Sequence, residues 1–167
     1  MLKLVTGMRV KRGFTLIEIL VVVLIIGITL GFAMLAFGDF GGSRRIQVAA
    51  EQFVSYVKLV QQQAILESST LGIKLNGNSY QALRFQAKAN WQPLSHHKIF
   101  HVQHFPEQAV THLITKRNKT GTPEIVINAS GDLTPFKLQI GTAKHANLVT
   151  IVGQHNGNIS LQGLESP

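Results

Sequence analysis

The sequence predicts an α+β protein: a long N-terminal helix, transmembrane and then amphipathic, packed on a C-terminal antiparallel β-sandwich. Three observations carry this prediction. From Ile19 to Gly38 there are 20 residues without a charge. Helical periodicity then resumes through Ile46, Ala49, Phe53, Val57, Val60 and Ala64. After Ser69 the apolar period changes to two, and Gly, Pro, Asn and Lys separate the short runs.

The uncharged run comes first. As a helix, 20 residues span about 30 Å, the thickness of a bilayer's hydrocarbon core. Thr29 is its only clearly polar residue. The formal charge of the chain is +8, and Lys3, Arg9, Lys11 and Arg12 all precede the run. Cations before a membrane helix favour a cytoplasmic N-terminus, which places the residues after Asp39 outside the cytoplasm. Arg44 and Arg45 on the far side weaken that asymmetry without reversing it. The basic balance is therefore partly a topology signal and not the mark of a nucleic-acid binder. There is no cysteine, which excludes a lipoprotein anchor, disulfides, haem attachment and thiolate metal sites. An exported domain of this composition must hold together by its core alone.

The start of the run raises the question of processing. Ala36-Phe37-Gly38 is a passable small-x-small cleavage site, yet the apolar stretch is longer than the 7–15 residues of an ordinary signal peptide. Glu18 also sits inside its beginning. A cut after Gly13 would instead remove only a basic leader, leaving a new amine at Phe14 and a carboxylate at the fifth mature position. A charge at the centre of a bilayer costs about 2.5–3.5 kcal/mol on insertion scales. Glu18 lies only about 6 Å along the helix from Phe14, so its cost is smaller. It still calls for a partner: its own amine, the amine of a neighbouring helix, or the headgroups to which it would snorkel. Spacing alone leaves these open.

These residues carry a resemblance. Lys11-Arg12-Gly13-Phe14-Thr15-Leu16-Ile17-Glu18 resembles the class III signal of type IV prepilins and type II secretion pseudopilins, over roughly residues 9–37. The resemblance implies a membrane-embedded prepilin peptidase that cuts after Gly13 and methylates the amine of Phe14, with Lys11 and Arg12 as the basic residues of the leader. It makes Glu18 the assembly carboxylate. It further implies an inner-membrane subunit, single-pass and in contact with membrane lipid. An inner-membrane assembly platform would draw it into a periplasmic filament, packed against major and minor pseudopilins through the N-terminal helices. Residues 1–13 are then a leader peptide, 14–38 a transmembrane and assembly segment, and 43–167 a periplasmic, pilin-like globular domain.

Within that domain the amphipathic helix is expected over 43–67, after a bend or loosened turn at Gly38, Gly41 and Gly42. Its apolar stripe recurs at spacings of 3, 4, 4, 3 and 4, while Arg45, Gln52, Lys58, Gln62 and Glu67 occupy other faces. The stripe is most simply the seam on which a sheet packs, with contact to a partner helix as the alternative.

The β-rich part is expected over 70–162. Thr70–Leu75 and Tyr80–Phe85 flank Asn76-Gly77-Asn78, a hairpin signal. Further strands are expected at Ile99–His104, Val110–Ile114, Glu124–Asn128, Phe136–Ile140, Leu148–Val152 and Asn158–Leu161, with a second hairpin at Asn156-Gly157-Asn158. Here the resemblance narrows. Tyr80–Phe85 followed by Trp91-Gln92-Pro93-Leu94, and Pro123-Glu124-Ile125-Val126-Ile127 followed by Gly131 and Pro135-Phe136-Lys137-Leu138, are similar to the minor pseudopilin family of general secretion pathway protein H.

That family implies a minor subunit of the type II secretion pseudopilus, a piston-like filament that helps folded proteins cross the outer membrane. No enzyme activity and no cofactor are implied. The alternative is a minor type IV pilin of the FimT kind, serving pilus assembly, adhesion or DNA uptake. Such pilins typically end in a Gly-Arg-x-Arg-like turn, whereas this chain reads Asn156-Gly157-Asn158-Ile159-Ser160. Without those arginines the phosphate contacts are missing, so nucleic acid is not an expected partner. A Sec-exported soluble protein cut after Gly38 is a third reading.

Other constellations carry less. His97 and His101 would share one face of a strand, next to His96 and His104, but no carboxylate joins them before Glu107, and a solvated strand edge is the expectation. No metal site is assigned. Lys116, Arg117 and Lys119 form a basic loop, a candidate contact for phosphate or an acidic partner whose default role is solubility. Ser55-x-x-Lys58 and Lys119-Thr120-Gly121 imitate penicillin-binding motifs, but the third element is missing and Ser55 falls on the amphipathic helix.

Overall fold

The computed structural model describes residues 14–37, 40–86, 90–94, 98–115 and 121–163. The chain divides into two compact units, one ending at Asp39 and one beginning at Phe40. The first holds helix α1, Leu16–Phe37. At 22 residues it is about 33 Å long.

The second unit opens with α2, Phe40–Leu66. This helix starts three residues before the expected 43 and runs through Gly41 and Gly42. Glycine in a helix costs about 1 kcal/mol relative to alanine, which the long amphipathic stretch that follows can offset. Gly38 lies outside the described residues. The six stripe positions Ile46, Ala49, Phe53, Val57, Val60 and Ala64 are all buried, and the five residues assigned to other faces are all exposed.

α2 stops in a Schellman motif. Ser69 N–H donates to Ala64 O at 3.0 Å and Ser68 N–H to Ile65 O at 3.1 Å. Ser68 takes the left-handed conformation there, with φ 47°. Just beyond, the Glu67 carboxylate accepts from Arg84 Nη2 at 2.6 Å and from Gln63 Nε2 at 2.7 Å, joining the helix end to the sheet. Burial works against the Glu67 charge. The Gln63 hydrogen bond and the Arg84 guanidinium, helped by Ser69, outweigh it and hold the carboxyl below its usual range.

Among the described residues nine strands follow: β1 (Leu71–Asn76), β2 (Ser79–Gln86), β3 (Asn90–Pro93), β4 (Gln103–His104), β5 (Val110–Thr115), β6 (Ile125–Ile127), β7 (Phe136–Gly141), β8 (Val149–Gly153) and β9 (Ile159–Gly163). They form two antiparallel sheets. One has the order β3-β2-β1-β6, with β4 also paired to β2; the other is β5-β7-β8-β9. Both hairpin signals are realised. Asn76 pairs with Ser79 across Gly77-Asn78, and Gly153 pairs with Ile159 across a turn closed by Gly157 N–H donating to Gln154 O at 3.1 Å.

Two details differ from expectation. Ile99–His104 is not one strand. Lys98–Phe100 forms a 3-10 turn closed by His101 N–H donating to Lys98 O, and only Gln103 and His104 pair with β2. Phe100 is pulled inward by the turn and buried at 2% exposure, a position that an alternating strand would not give it. β3 is a strand that the apolar pattern does not announce, because three of its four residues are exposed.

The two sheets and α2 share one core. Phe53 joins them: its ring meets Tyr80 of β2 at 4.9 Å and Phe136 of β7 at 6.5 Å, both edge-on. The gap on β2 between its β3 and β4 pairings is closed from the helix. There the Ala82 N–H donates to the Tyr56 hydroxyl at 2.8 Å, and Ala82 O accepts from Leu94 N–H at 2.9 Å. Burial pushes the Tyr56 phenol up to about 12, despite the opposing effect of the Ala82 hydrogen bond.

Candidate functional site

The segment expected to carry the assembly signal begins at a helix N-terminus. Thr15 is the N-cap of α1. Its carbonyl accepts from Glu18 N–H at 3.1 Å and its hydroxyl accepts from the same N–H at 3.3 Å. Thr15-Leu16-Ile17-Glu18 is thus a Thr-x-x-Glu sequence with the acid at the third helical position, the pattern of a capping box. The helix dipole favours a carboxylate in this first turn. Glu18 therefore has a local reason to be where it is, besides any role toward a neighbour. The pattern is present in the sequence, but the apolar run around it draws attention to its burial cost and away from the cap.

Phe14 is exposed at 79%, and every described side chain from Leu16 to Phe32 is exposed as well. Among the described residues α1 alone, over Leu16–Ala33, is long and apolar enough to cross a membrane, and none of that stretch is buried inside the protein. Such a surface needs an apolar surrounding, either lipid or other helices. Its one internal polar side chain is self-satisfied: Thr29 Oγ1 donates to Ile25 O and Ile26 O at 3.0 and 2.9 Å. Past the first-turn N–H groups of Leu16 and Ile17, no backbone or hydroxyl group along this stretch then needs water, as a membrane helix requires.

Lys11, Arg12 and Gly13 lie outside the described residues, so the proposed scissile bond is placed by sequence alone. Lys116, Arg117 and Lys119 also lie outside them, as do His96 and His97. His101 follows the 3-10 turn rather than sitting in a strand, so the strand face on which His97 and His101 were expected together does not form. Among the described residues no group of three or more His, Cys, Asp and Glu is placed to hold a metal.

The second unit has its own concavity. Phe85 of β2 and Trp91 of β3 are cross-strand partners with ring centroids 5.1 Å apart. Gly72 of β1 makes room beside them: a Cβ there would fall 2.4 Å from Pro123 Cγ and 3.0 Å from the Trp91 ring. The two rings, Leu133, Pro135 and His155 wall a cleft of about 550 Å3 between the first sheet, the segment that leads into β7 and the β8–β9 turn. It is large enough for an apolar side chain of a partner and contains no charged carboxylate or ammonium among its lining residues.

Two family descriptions match the chain. The prokaryotic N-terminal methylation motif covers residues 8–34, and type II transport protein GspH covers residues 49–157. The chain is 34% identical over 145 residues to a type II secretion system protein H of Pseudomonas aeruginosa, covering 80% of this chain and 84% of that one. Its fold is that of the minor pseudopilin EpsH of Vibrio cholerae, with TM-score 0.65 and 19% identity over 75% of this chain and 99% of the other. Escherichia coli GspH is similar in the same way, with TM-score 0.63 and 22% identity over 76% and 94%.

Proposed function

The chain belongs to the GspH family of type II transport proteins, and from that premise we propose how the subunit is made, stored and used. It is a minor pseudopilin of a type II secretion system, a structural subunit that assembles with other pseudopilins and assists the export of folded proteins across the outer membrane. Its prepilin-like start and apolar N-terminal helix fit an inner-membrane-anchored protein.

The finer steps are our reading. A prepilin peptidase removes residues 1–13 and methylates the Phe14 amine. The N-terminus begins in the cytoplasm and the unit from Phe40 lies in the periplasm, anchored by α1 within the transmembrane segment 14–38. An inner-membrane assembly platform moves the subunit from lipid into the filament. There Glu18 pairs with the Phe14 amine of a neighbour, which offsets the cost of a carboxylate in apolar surroundings and sets the stagger between helices.

One observation supports this reading most directly: α1 is apolar and exposed from Leu16 to Phe32, with its only carboxylate in the first turn, four residues after Phe14. The test is the mass of the mature N-terminus. Phe14 carrying a methylated amine is expected, and Gly13→Asp should leave the leader attached and stop assembly. A mature chain starting at Asp39, or normal processing of the Gly13 variant, would show the reading to be wrong.

A further inference from the structure

Arg44 and Arg45 follow the apolar helix on the side where cations are usually scarce, and the function above gives them no task. Both are exposed, and among the described residues neither forms a salt bridge. They share a face of α2 with Val48, Ala49 and Gln52, at i, i+4 and i+8 spacings. That face and Pro106 wall a groove of about 490 Å3. Apart from Arg44, Arg45 and Gln52 its lining is apolar, and no described residue lining it is acidic.

We infer that this groove binds one anionic phospholipid of the membrane that α1 occupies, its phosphate between Arg44 and Arg45 and part of an acyl chain along Val48, Ala49 and Pro106. The guanidinium fork matches phosphate oxygens bidentately, and it is less tightly hydrated than an ammonium. A free phosphate would use the arginines and leave the apolar floor to water; a lipid uses both. Only six residues separate Phe37 from Arg44, so the covalent chain cannot carry Arg44 more than about 25 Å from the end of α1. That short link allows the groove to meet the membrane surface while the helix is in the bilayer, and the ligand is released when the subunit leaves. The inference rests on the reading of α1 as a membrane anchor.

The chain has no cysteine, so Gln47→Cys in the full-length protein, at an exposed position of α2 that does not line the groove, gives a single site for a bromine-quenched fluorophore beside it. The labelled protein is reconstituted into phosphatidylcholine vesicles containing either bromoacyl phosphatidylglycerol or bromoacyl phosphatidylcholine. Quenching is expected to favour the anionic lipid by on the order of tenfold. Arg44→Ala with Arg45→Ala should remove the preference. Lys58→Ala with Lys137→Ala, an equal loss of charge from exposed sites elsewhere, should keep it. Val48→Asp should reduce quenching with both arginines still present. Preference that survives loss of the arginines, equal loss in the lysine control, or full recovery of fluorescence in excess inorganic phosphate would overturn the lipid site. Vesicle flotation separates the two readings: a chain that floats without arginine-dependent quenching refutes the lipid site alone, and one that does not float refutes the anchor and the lipid site together.

Discussion

The side-chain amide of Gln61, on α2, donates to the main-chain carbonyl of Gly131 at 2.6 Å, 70 residues away in sequence. The same nitrogen reaches Gly157 O at 3.2 Å. One side chain thus ties the helix to the turn that leads into the second sheet and to the hairpin that closes it. Both glycines have left-handed φ, 89° and 84°. A Cβ on Gly157 would fall 2.3 Å from the Gln61 amide nitrogen and 2.7 Å from Gly131 O, whereas one on Gly131 would meet Ile65 Cδ1 at 3.1 Å. Gly157→Ala should therefore destabilise more than Gly131→Ala, since it breaks the latch as well as straining the turn. Gln61→Leu should cost about 1–3 kcal/mol, because partly buried carbonyls lose their donor. Thermal unfolding of the three variants gives the order.

Ser68 pays a steric cost that glycine would not. It holds the left-handed position of the Schellman motif with a Cβ, a conformation disfavoured by roughly 1–2 kcal/mol for most residues. Ser68→Gly is expected to stabilise by about 0.5–1 kcal/mol once the greater flexibility of unfolded glycine is subtracted. The midpoint of thermal unfolding should rise by a few degrees; a fall would mean that the serine hydroxyl has a role at the helix end.

Tyr56 and Tyr80 are the only tyrosines in the chain, and burial raises both phenols, Tyr56 to about 12. A raised folded value means that the folded protein keeps a proton that the unfolded chain releases near 10. The stabilisation is therefore complete below about pH 10 and is lost as pH climbs toward 12. Tyrosinate absorbance should stay low until the protein unfolds in alkali, and then rise together with the loss of helix signal. Tyr56→Phe removes the acceptor of the Ala82 N–H and should cost about 1–3 kcal/mol at neutral pH. Gradual ionisation of both tyrosines near 10 without unfolding would contradict this.

Cap and assembly roles at the head of α1 are separable. The cap is made by Thr15 and the backbone N–H of Glu18, not by the Glu18 side chain. Thr15→Ala should weaken the first turn by about 0.5–2 kcal/mol and leave the charge in place. Glu18→Gln should keep the cap bond, insert into the membrane at least as well as wild type, and assemble poorly. Cross-linking of subunits in membranes reads both, and normal assembly of Glu18→Gln would remove the neighbour-amine pairing.

The fold was legible where one physical rule dominates. The stripe from Ile46 to Ala64 obeys helical period alone, and all six of its residues are buried. Phe136, Leu138 and Ile140 alternate with exposed Lys137 and half-buried Gln139 as a one-sided sheet requires. Legibility fails where long-range contacts decide. Asn90–Pro93 carries no alternation, and becomes a strand because β2 offers it an edge. Phe100 leaves strand geometry to reach the core. Of the candidate site, the Thr-x-x-Glu spacing is written in the sequence. The Gln61 latch is not, because its partners are fixed only when two distant turns meet the helix.

Thr29 keeps its hydroxyl to its own backbone, and between Glu18 and Phe32 the helix has no other side chain able to hydrogen-bond. Against apolar neighbours such a helix can slide lengthwise or rotate without breaking a polar contact at any point. Under the proposed assembly, passage from lipid to filament would meet little friction along the shaft, and the halt would fall to the single acid at its head.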